Sequence, residues 1–149
     1  MKKRRKEPMV TRIPNAAALT RCNAQVDRLD AGAGPGYIEL RTGTQPAFGD
    51  DPASGVVLVT IALQDPAFGD AADQNPGARA SMNGTPSANA GADGTASWFR
   101  AYDSDANPVQ DGAITATGLG GEMEIDNPVI NSGATVTITS WNVDELESA

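Results

Sequence analysis

The sequence predicts a mainly β fold: an antiparallel β-sandwich or jelly-roll-like domain with one N-terminal helix and an extended basic N-terminal arm. Residues 95–143 contain several short runs in which apolar and polar side chains alternate, as expected for strands with one buried face. Turn residues separate these runs about every 8–12 residues, which is typical of antiparallel β domains. Apolar residues recur at helical spacing in residues 16–30, which predicts the helix.

Length and composition favour a single domain without a cofactor. The chain has 149 residues, and we expect residues 1–14 to form the arm and residues 15–149 to form one β-rich domain. Aromatic residues make up only 5% of the chain, so we expect a thin core or one that a partner completes. There is no histidine, and Cys22 is the only cysteine, which leaves no disulfide pair and few zinc ligands. We therefore expect no cofactor, no metal site and no enzymatic activity.

Positive charge is concentrated at the N-terminal tip, whereas the rest of the chain is acidic. Five basic residues form this tip: Lys2, Lys3, Arg4, Arg5 and Lys6. After Glu7 the chain has six arginines and eighteen acidic residues, a net charge of 6 − 18 = −12. A body of this charge repels nucleic acid, so only the tip is expected to contact a phosphate backbone or an acidic neighbour, unless it is a solvated charge run. We expect no specific nucleic-acid partner.

No membrane partner is expected either. Polar residues interrupt the sequence between Thr11 and Arg21, so no apolar run of membrane-spanning or secretory length follows the tip. If Met9 were the true start, the tip would not belong to the protein.

The helix is predicted over residues 15–31, with Asn15 as its N-cap and Gly32 as its stop signal. Its apolar stripe consists of Leu19, Cys22, Val26 and Leu29. Cys22 is interpreted as a small core residue rather than a nucleophile, because no histidine is present to act as its base.

Two strands are predicted in the middle of the chain. Residues 37–41 alternate polar and apolar side chains, with Ile38 and Leu40 facing inward. Residues 55–63 are the most hydrophobic run, which predicts a central strand covered at least partly on both faces, with the helix as one cover.

The pentapeptide Pro-Ala-Phe-Gly-Asp occurs twice, at residues 46–50 and 66–70. We expect two similar turns that anchor Phe48 and Phe68 under the edge of the sheet. A pair of functional loops is the alternative.

Residues 71–94 are rich in small and polar residues and show no periodicity. A long loop is therefore predicted, which either folds on a neighbouring molecule or stays mobile. Met82 is its only large apolar residue and hence its candidate contact.

The last third of the chain supplies the remaining strands. In residues 98–102 we expect Phe99 to face inward and Arg100 to lie on the outer face, covered by the rings of Trp98 and Tyr102. A turn is predicted at residues 103–108. The inward positions that follow are Ile114, Ala116, Met123, Ile125, Val136 and Ile138.

The alternation changes phase near the end of the chain. After Ile138 the apolar positions are Trp141 and Val143, which predicts a β-bulge near Ser140. Residues 144–149 are interpreted as an acidic tail.

Two groups of side chains suggest ligand binding, each with a structural alternative. Trp98, Tyr102 and Trp141 would form an exposed platform for a sugar, or they would cap the core. The spacing of Asp103, Asp105 and Asn107 resembles the start of a calcium loop. That pattern then fails, because Pro108 and Ile114 stand where the glycine and the glutamate ligand belong.

Glu122 and Glu124 are the clearest carboxylate pair. On one strand face they would lie roughly 6.5 Å apart, a separation that loosely suits a small glycoside hydrolase. Solvated surface acids are the simpler interpretation, because a hydrolase places such a pair in a cleft and desolvates one member.

An ordered series of segments is similar to a family of small virion proteins of tailed bacteriophages. The similarity rests on residues 95–104, 110–114, 120–127 and 130–140. Upstream, a helix precedes Tyr-Ile-Glu-Leu-Arg-Thr-Gly at residues 37–43 and Leu-Val-Thr-Ile-Ala-Leu-Gln-Asp-Pro-Ala-Phe-Gly at residues 58–69 in the same order. The match covers roughly residues 15–143, and the basic tip departs from it.

The resemblance implies a non-enzymatic virion protein that is assembled in the bacterial cytoplasm. The preferred hypothesis is a capsid decoration (cement) protein that bridges major capsid protein subunits, as a homo-oligomer or in a symmetric assembly. The alternative is a tail-associated component or a carbohydrate-binding adhesion module. The candidate contact residues are Lys2, Lys3, Arg4, Arg5, Lys6, Phe48, Phe68, Met82, Trp98 and Tyr102.

Overall fold

The computed structural model describes residues 12–145, and within them the predicted mainly β fold with one helix is confirmed. Helix α1 spans Asn15–Asp27, and a 3₁₀ turn extends it to Asp30. The strands are β1 Tyr37–Arg41, β2 Val57–Ala62, β3 Ala72–Asp73, β4 Ala78–Ser81, β5 Ser87–Asn89, β6 Gly94–Thr95, β7 Trp98–Tyr102, β8 Pro108–Ala116, β9 Met123–Ile125, β10 Val129–Ile130 and β11 Thr135–Glu145. The basic tip lies outside the described residues.

One large mixed sheet contains nine of these strands. Its order is β2-β1-β7-β8-β9-β11-β4-β3, with β5 also paired to β11, and β6 and β10 form a separate ribbon. The sheet departs from the predicted antiparallel arrangement in one place, where β8 and β9 run parallel with Ile114 opposite Met123. The sheet also curves back on itself. The contact that shows this is the hydrogen bond from the Gly91 amide, just after β5, to the Leu58 carbonyl in β2 at 2.9 Å.

The core lies between the β7 side and the β11 side of the curved sheet. The Trp141 ring packs edge-on against Phe99, with centroids 5.1 Å apart, and against Phe68 at 4.8 Å. Trp141 and Val143 are both buried, and the pairing of β9 with β11 shifts register between Ile138 and Ser140. The predicted bulge near Ser140 is therefore confirmed. Of the predicted acidic tail, Asp144 and Glu145 belong to β11 instead, and residues 146–149 lie outside the described residues.

Helix α1 buries most of the predicted stripe. Ala18, Cys22 and Val26 are buried, while Leu19 is only partly buried. The prediction of Asn15 as the N-cap is wrong. Pro14 occupies that position in an extended conformation, and its carbonyl accepts from the amides of Ala17 and Ala18.

The most hydrophobic strand, β2, is an edge strand of the sheet rather than the predicted central one. Leu58, Val59 and Ile61 are nevertheless buried, so both of its faces are covered. Helix α1 packs chiefly against β4 and β11 instead of β2. The apolar run therefore correctly predicted burial on both faces of β2. An edge strand can be covered in this way because the sheet curves around it.

The long loop predicted at residues 71–94 is replaced by β3, β4 and β5, with Gly94 beginning β6. The buried residues of β4 are Ala78 and Ala80, and their small side chains gave no apolar bulk to recognise. Met82 is half-buried against the core and forms an isolated bridge with Phe68. This segment is thus part of the domain.

Candidate functional site

A charged and aromatic cluster covers the outer face of β1, β7 and β8. Strand register places Glu39, Arg100 and Asp111 in one row across the three strands. The next row brings Arg41 beside Trp98. Phe99 points the other way into the core, so the predicted orientations of Phe99 and Arg100 are correct.

Arg100 is the centre of this cluster and is almost fully buried. Its Nε and Nη2 donate to the two carboxylate oxygens of Asp111 at 2.6 and 2.7 Å, and its Nη1 donates to the Asp51 carbonyl at 2.8 Å. The hydrogen bonds with Asp111 raise the pKa of Arg100 above its usual value. Its guanidinium also lies 5.7 Å from the centroid of the Trp98 ring, within reach of a cation–π interaction. Removing either partner of this pair would leave an uncompensated buried charge.

Glu39 organises the neighbouring part of the cluster. One of its carboxylate oxygens accepts from Arg41 Nε and Nη2 at 3.0 and 2.6 Å and from the Tyr102 hydroxyl at 3.1 Å. The Tyr102 ring stacks on Tyr37 at 4.9 Å. The pKa of Tyr102 is raised, chiefly by partial burial and next by the negative charge of Glu39. This tyrosine is therefore a neutral donor near pH 7.

Residues 42–56, here called the covering loop, fold over the cluster and are tied to it by main-chain contacts. The indole Nε1 of Trp98 donates to the Thr42 carbonyl at 3.1 Å, and Arg41 Nη1 donates to the Ser54 carbonyl at 3.3 Å. With the bond from Arg100 to Asp51, three buried or half-buried side chains hold the loop along its length. Phe48 and Val56 of this loop are 72% and 56% exposed.

The structure describes five of the ten predicted contact residues and separates these five into three groups. Phe48 is exposed, which contradicts the prediction that it is anchored under the sheet edge. Phe68 is anchored as predicted, and Trp98 is buried beneath the covering loop. Met82 and Tyr102 are half-buried. The remaining five, Lys2, Lys3, Arg4, Arg5 and Lys6, lie outside the described residues.

The proposed sugar platform is not formed. Trp98 and Trp141 are both about 1% exposed, and they lie on opposite sides of β7: Trp141 packs on Phe99, whereas Trp98 lies under the covering loop. Of the three rings, only Tyr102 reaches solvent, and its hydroxyl is bonded to Glu39.

The acidic patterns prove to shape turns. Asp103 accepts from the amides of Asp105 and Asn107 and from the Asn107 side chain, and the bonds from Asn107 chiefly lower its pKa. Glu124 accepts from the amides of Gly118 and Gly120, which lower its pKa and tie down the connection between β8 and β9. No group of three His, Cys, Asp or Glu side chains within residues 12–145 has the geometry of a metal site.

Sequence reasoning missed several features of this surface. Asp111 was not recognised as the partner of Arg100, because their pairing depends on the register of β7 against β8. Leu119 and Val129 are 74% and 60% exposed and were not among the predicted contacts. Leu119 lies between glycines in a segment with the composition of a turn. A large apolar residue inside a turn is the sequence signal that could have indicated its exposure.

No family model matches the chain, and neither a curated protein nor a solved structure matches it. Within residues 12–145, no helix is long and apolar enough to cross a membrane.

Proposed function

We propose that this chain is a non-enzymatic structural protein of a tailed-phage virion, and that it decorates the capsid by bridging major capsid protein subunits. The observation that carries this proposal is the anchored covering loop, which presents Phe48 and Val56 to solvent. An exposed aromatic side chain on a preorganised loop suits protein recognition, because little conformational entropy is lost when it is buried by a partner.

The charge distribution supports a protein partner with basic surface. The chain carries a net charge of 6 − 18 = −12 after Glu7, and the pairs of Arg41 with Glu39 and of Arg100 with Asp111 leave this balance unchanged. Basic side chains of a partner around an apolar contact would complement such a surface and speed its association. Repetition on a symmetric shell would multiply modest contacts through avidity.

The test is the copy number and position of the chain in purified particles, measured by quantitative mass spectrometry with crosslinking. The proposal expects hundreds of copies per particle, with crosslinks from the covering loop to the major capsid protein. A few copies crosslinked to tail proteins would instead identify the chain as a tail-associated component. Absence from particles would refute a virion role.

The basic tip gives a second test of the same proposal. Deleting residues 2–8 is expected to weaken binding to particles and to reduce its salt dependence, because exposed charge contacts are screened over about 8–10 Å at physiological salt. Binding that keeps its affinity and salt dependence after the deletion would show that the tip makes no electrostatic contact.

A further inference from the structure

Two strands leave one side unpaired along the same groove. Within residues 12–145, the first part of β8 pairs only with β7, and the last four residues of β11 pair only with β4. The three residues of β9 link β8 to β11 only at one end. Beyond β9 the two strands border a groove of about 570 Å³, whose third side is helix α1. The groove adjoins a second hollow of about 270 Å³ that reaches Glu122.

The backbone of β8 directs hydrogen-bonding groups into this groove. The Ile114 amide donates to the Ser97 carbonyl, so Ile114 bonds toward the β7 side. Backbone groups in an antiparallel pair alternate between the partner strand and the opposite side. Gly112 therefore also bonds to β7, while Asp111 and Ala113 point their backbone groups toward the groove.

The backbone at the end of β11 also directs hydrogen-bonding groups into the groove, from the opposite side. The Met82 amide donates to the Trp141 carbonyl, so Trp141 bonds toward β4. By the same alternation Val143 bonds to β4, and Asn142 and Asp144 direct their amides and carbonyls away from it.

At both ends of the β8 edge, side chains already make hydrogen bonds that a neighbouring strand would otherwise make. The Glu122 carboxylate accepts from the Ala113 amide at 3.2 Å, and Gln25 of α1 donates to the Val109 carbonyl at 3.1 Å. These two contacts confirm the direction of the β8 backbone independently of the alternation. Between them, no side chain of residues 12–145 bonds to the backbone of Asp111.

We infer that this groove binds an extended segment of a partner protein by strand addition between β8 and β11. Facing strand edges with free amides and carbonyls recognise an extended polypeptide and give it affinity through main-chain hydrogen bonds. One position on the rim favours a carboxylate. Arg28, in the 3₁₀ turn after α1, lines the groove and forms no ion pair within residues 12–145. The other charged side chains that line the groove are already paired, Arg21 with Glu145 at 3.3 Å and Asp144 with Arg79 at 2.6 Å. The occupant is thus an extended segment with a carboxylate opposite Arg28, and assigning it to a particle protein rests on the proposed function.

Photo-crosslinking and amide exchange together test this inference on the full chain. The photoreactive residue p-benzoylphenylalanine replaces Gln110, which lines the groove, in phage-producing cells and in particles. Ala24→Trp fills the groove from the helix side, and Ala16→Trp on the exposed part of the same helix is the matched control. Hydrogen exchange is compared between the free chain and the assembled one.

Strand addition predicts crosslinks to one contiguous segment, containing an acidic residue, of one partner, lost in Ala24→Trp and retained in Ala16→Trp. It also predicts that exchange at the Asp111 and Asp144 amides slows about tenfold or more on assembly. Unchanged exchange in a chain that is present in particles would overturn the inference and leave the proposed function intact. Crosslinks to residues 1–11 or 146–149 of this chain, or to many proteins, would also overturn it. If the chain is missing from particles, one contiguous crosslinked segment in cells would still support the inference while the proposed function fails.

Discussion

The two copies of Pro-Ala-Phe-Gly-Asp adopt opposite roles in one molecule. In the second copy Phe68 is only 5% exposed and packs edge-on against Trp141, whereas Phe48 in the first copy is 72% exposed. The surroundings make the difference. The second copy lies beside β4, where the Asn83 amide donates to the Ala67 carbonyl and the ring enters the core. The first copy lies over a face already filled by Arg100 and Trp98, which leaves its ring outside.

The largest effect on folding is expected from Phe68→Ala. Removing a buried ring costs its transfer free energy and leaves a cavity beside Trp141, so the free energy of unfolding should fall by about 3–5 kcal/mol. Denaturant unfolding of Phe68→Ala and the matched Phe48→Ala measures the contrast. Equal losses in the two variants would refute the assignment of one ring to the core and the other to the surface.

A second large effect is expected where the first copy is anchored. Asp111→Ala leaves the Arg100 guanidinium buried without its carboxylate, which should cost about 3 kcal/mol and loosen the covering loop. Unfolding in denaturant and limited proteolysis within residues 42–56 report the two consequences. Asp50→Ala, an exposed acid in the same loop, is the control and should change neither. A loop that stays resistant in Asp111→Ala would show that Arg100 does not hold it.

The ion pair beside the second copy should contribute far less. Arg79 bonds both carboxylate oxygens of Asp144, but the two side chains are 40% and 48% exposed, against 4% and 7% for Arg100 and Asp111. Arg79→Ala is therefore expected to cost about 0.5 kcal/mol. The hydrogen bonds from Arg79 lower the pKa of Asp144, so the pair stabilises the fold above the unfolded-state pKa and loses this contribution as the pH falls below about 4. The difference between the wild-type chain and Arg79→Ala should vanish in acid, and a difference that grows there would contradict this sign.

These contrasts mark the limit of prediction from sequence. Alternation placed Phe99, Ile125 and Val136 in the core and located the bulge near Ser140, because inward positions and phase changes are local properties. The identical pentapeptides could not be told apart, because the space available to each ring depends on strands far away in sequence. The edge position of β2 was missed for the same reason.

The candidate site was less predictable than the fold. Trp98 and Arg100 were correctly expected to contact each other, because neighbouring outer positions on one strand meet without any tertiary information. The bonds from Arg100 to Asp111 and Asp51 required strand register and loop placement. The strand-addition groove required the full pairing of the sheet, since the strand order decides which edges stay unpaired.

The smallest effect on folding, and the clearest effect on function, is expected from Phe48→Ala. The exposed ring contributes little to the core, so the free energy of unfolding should stay within about 0.5 kcal/mol of the wild-type value. If Phe48 is an aromatic anchor for the capsid, its loss should weaken particle binding by about 2 kcal/mol, roughly 30-fold. Titration of purified chain onto particles that lack it measures this affinity, and Val129→Ala tests an exposed apolar side chain outside the covering loop. Because Phe48→Ala leaves the anchoring bonds of Arg100 and Trp98 in place, an unchanged affinity would mean that the covering loop is not the contact surface.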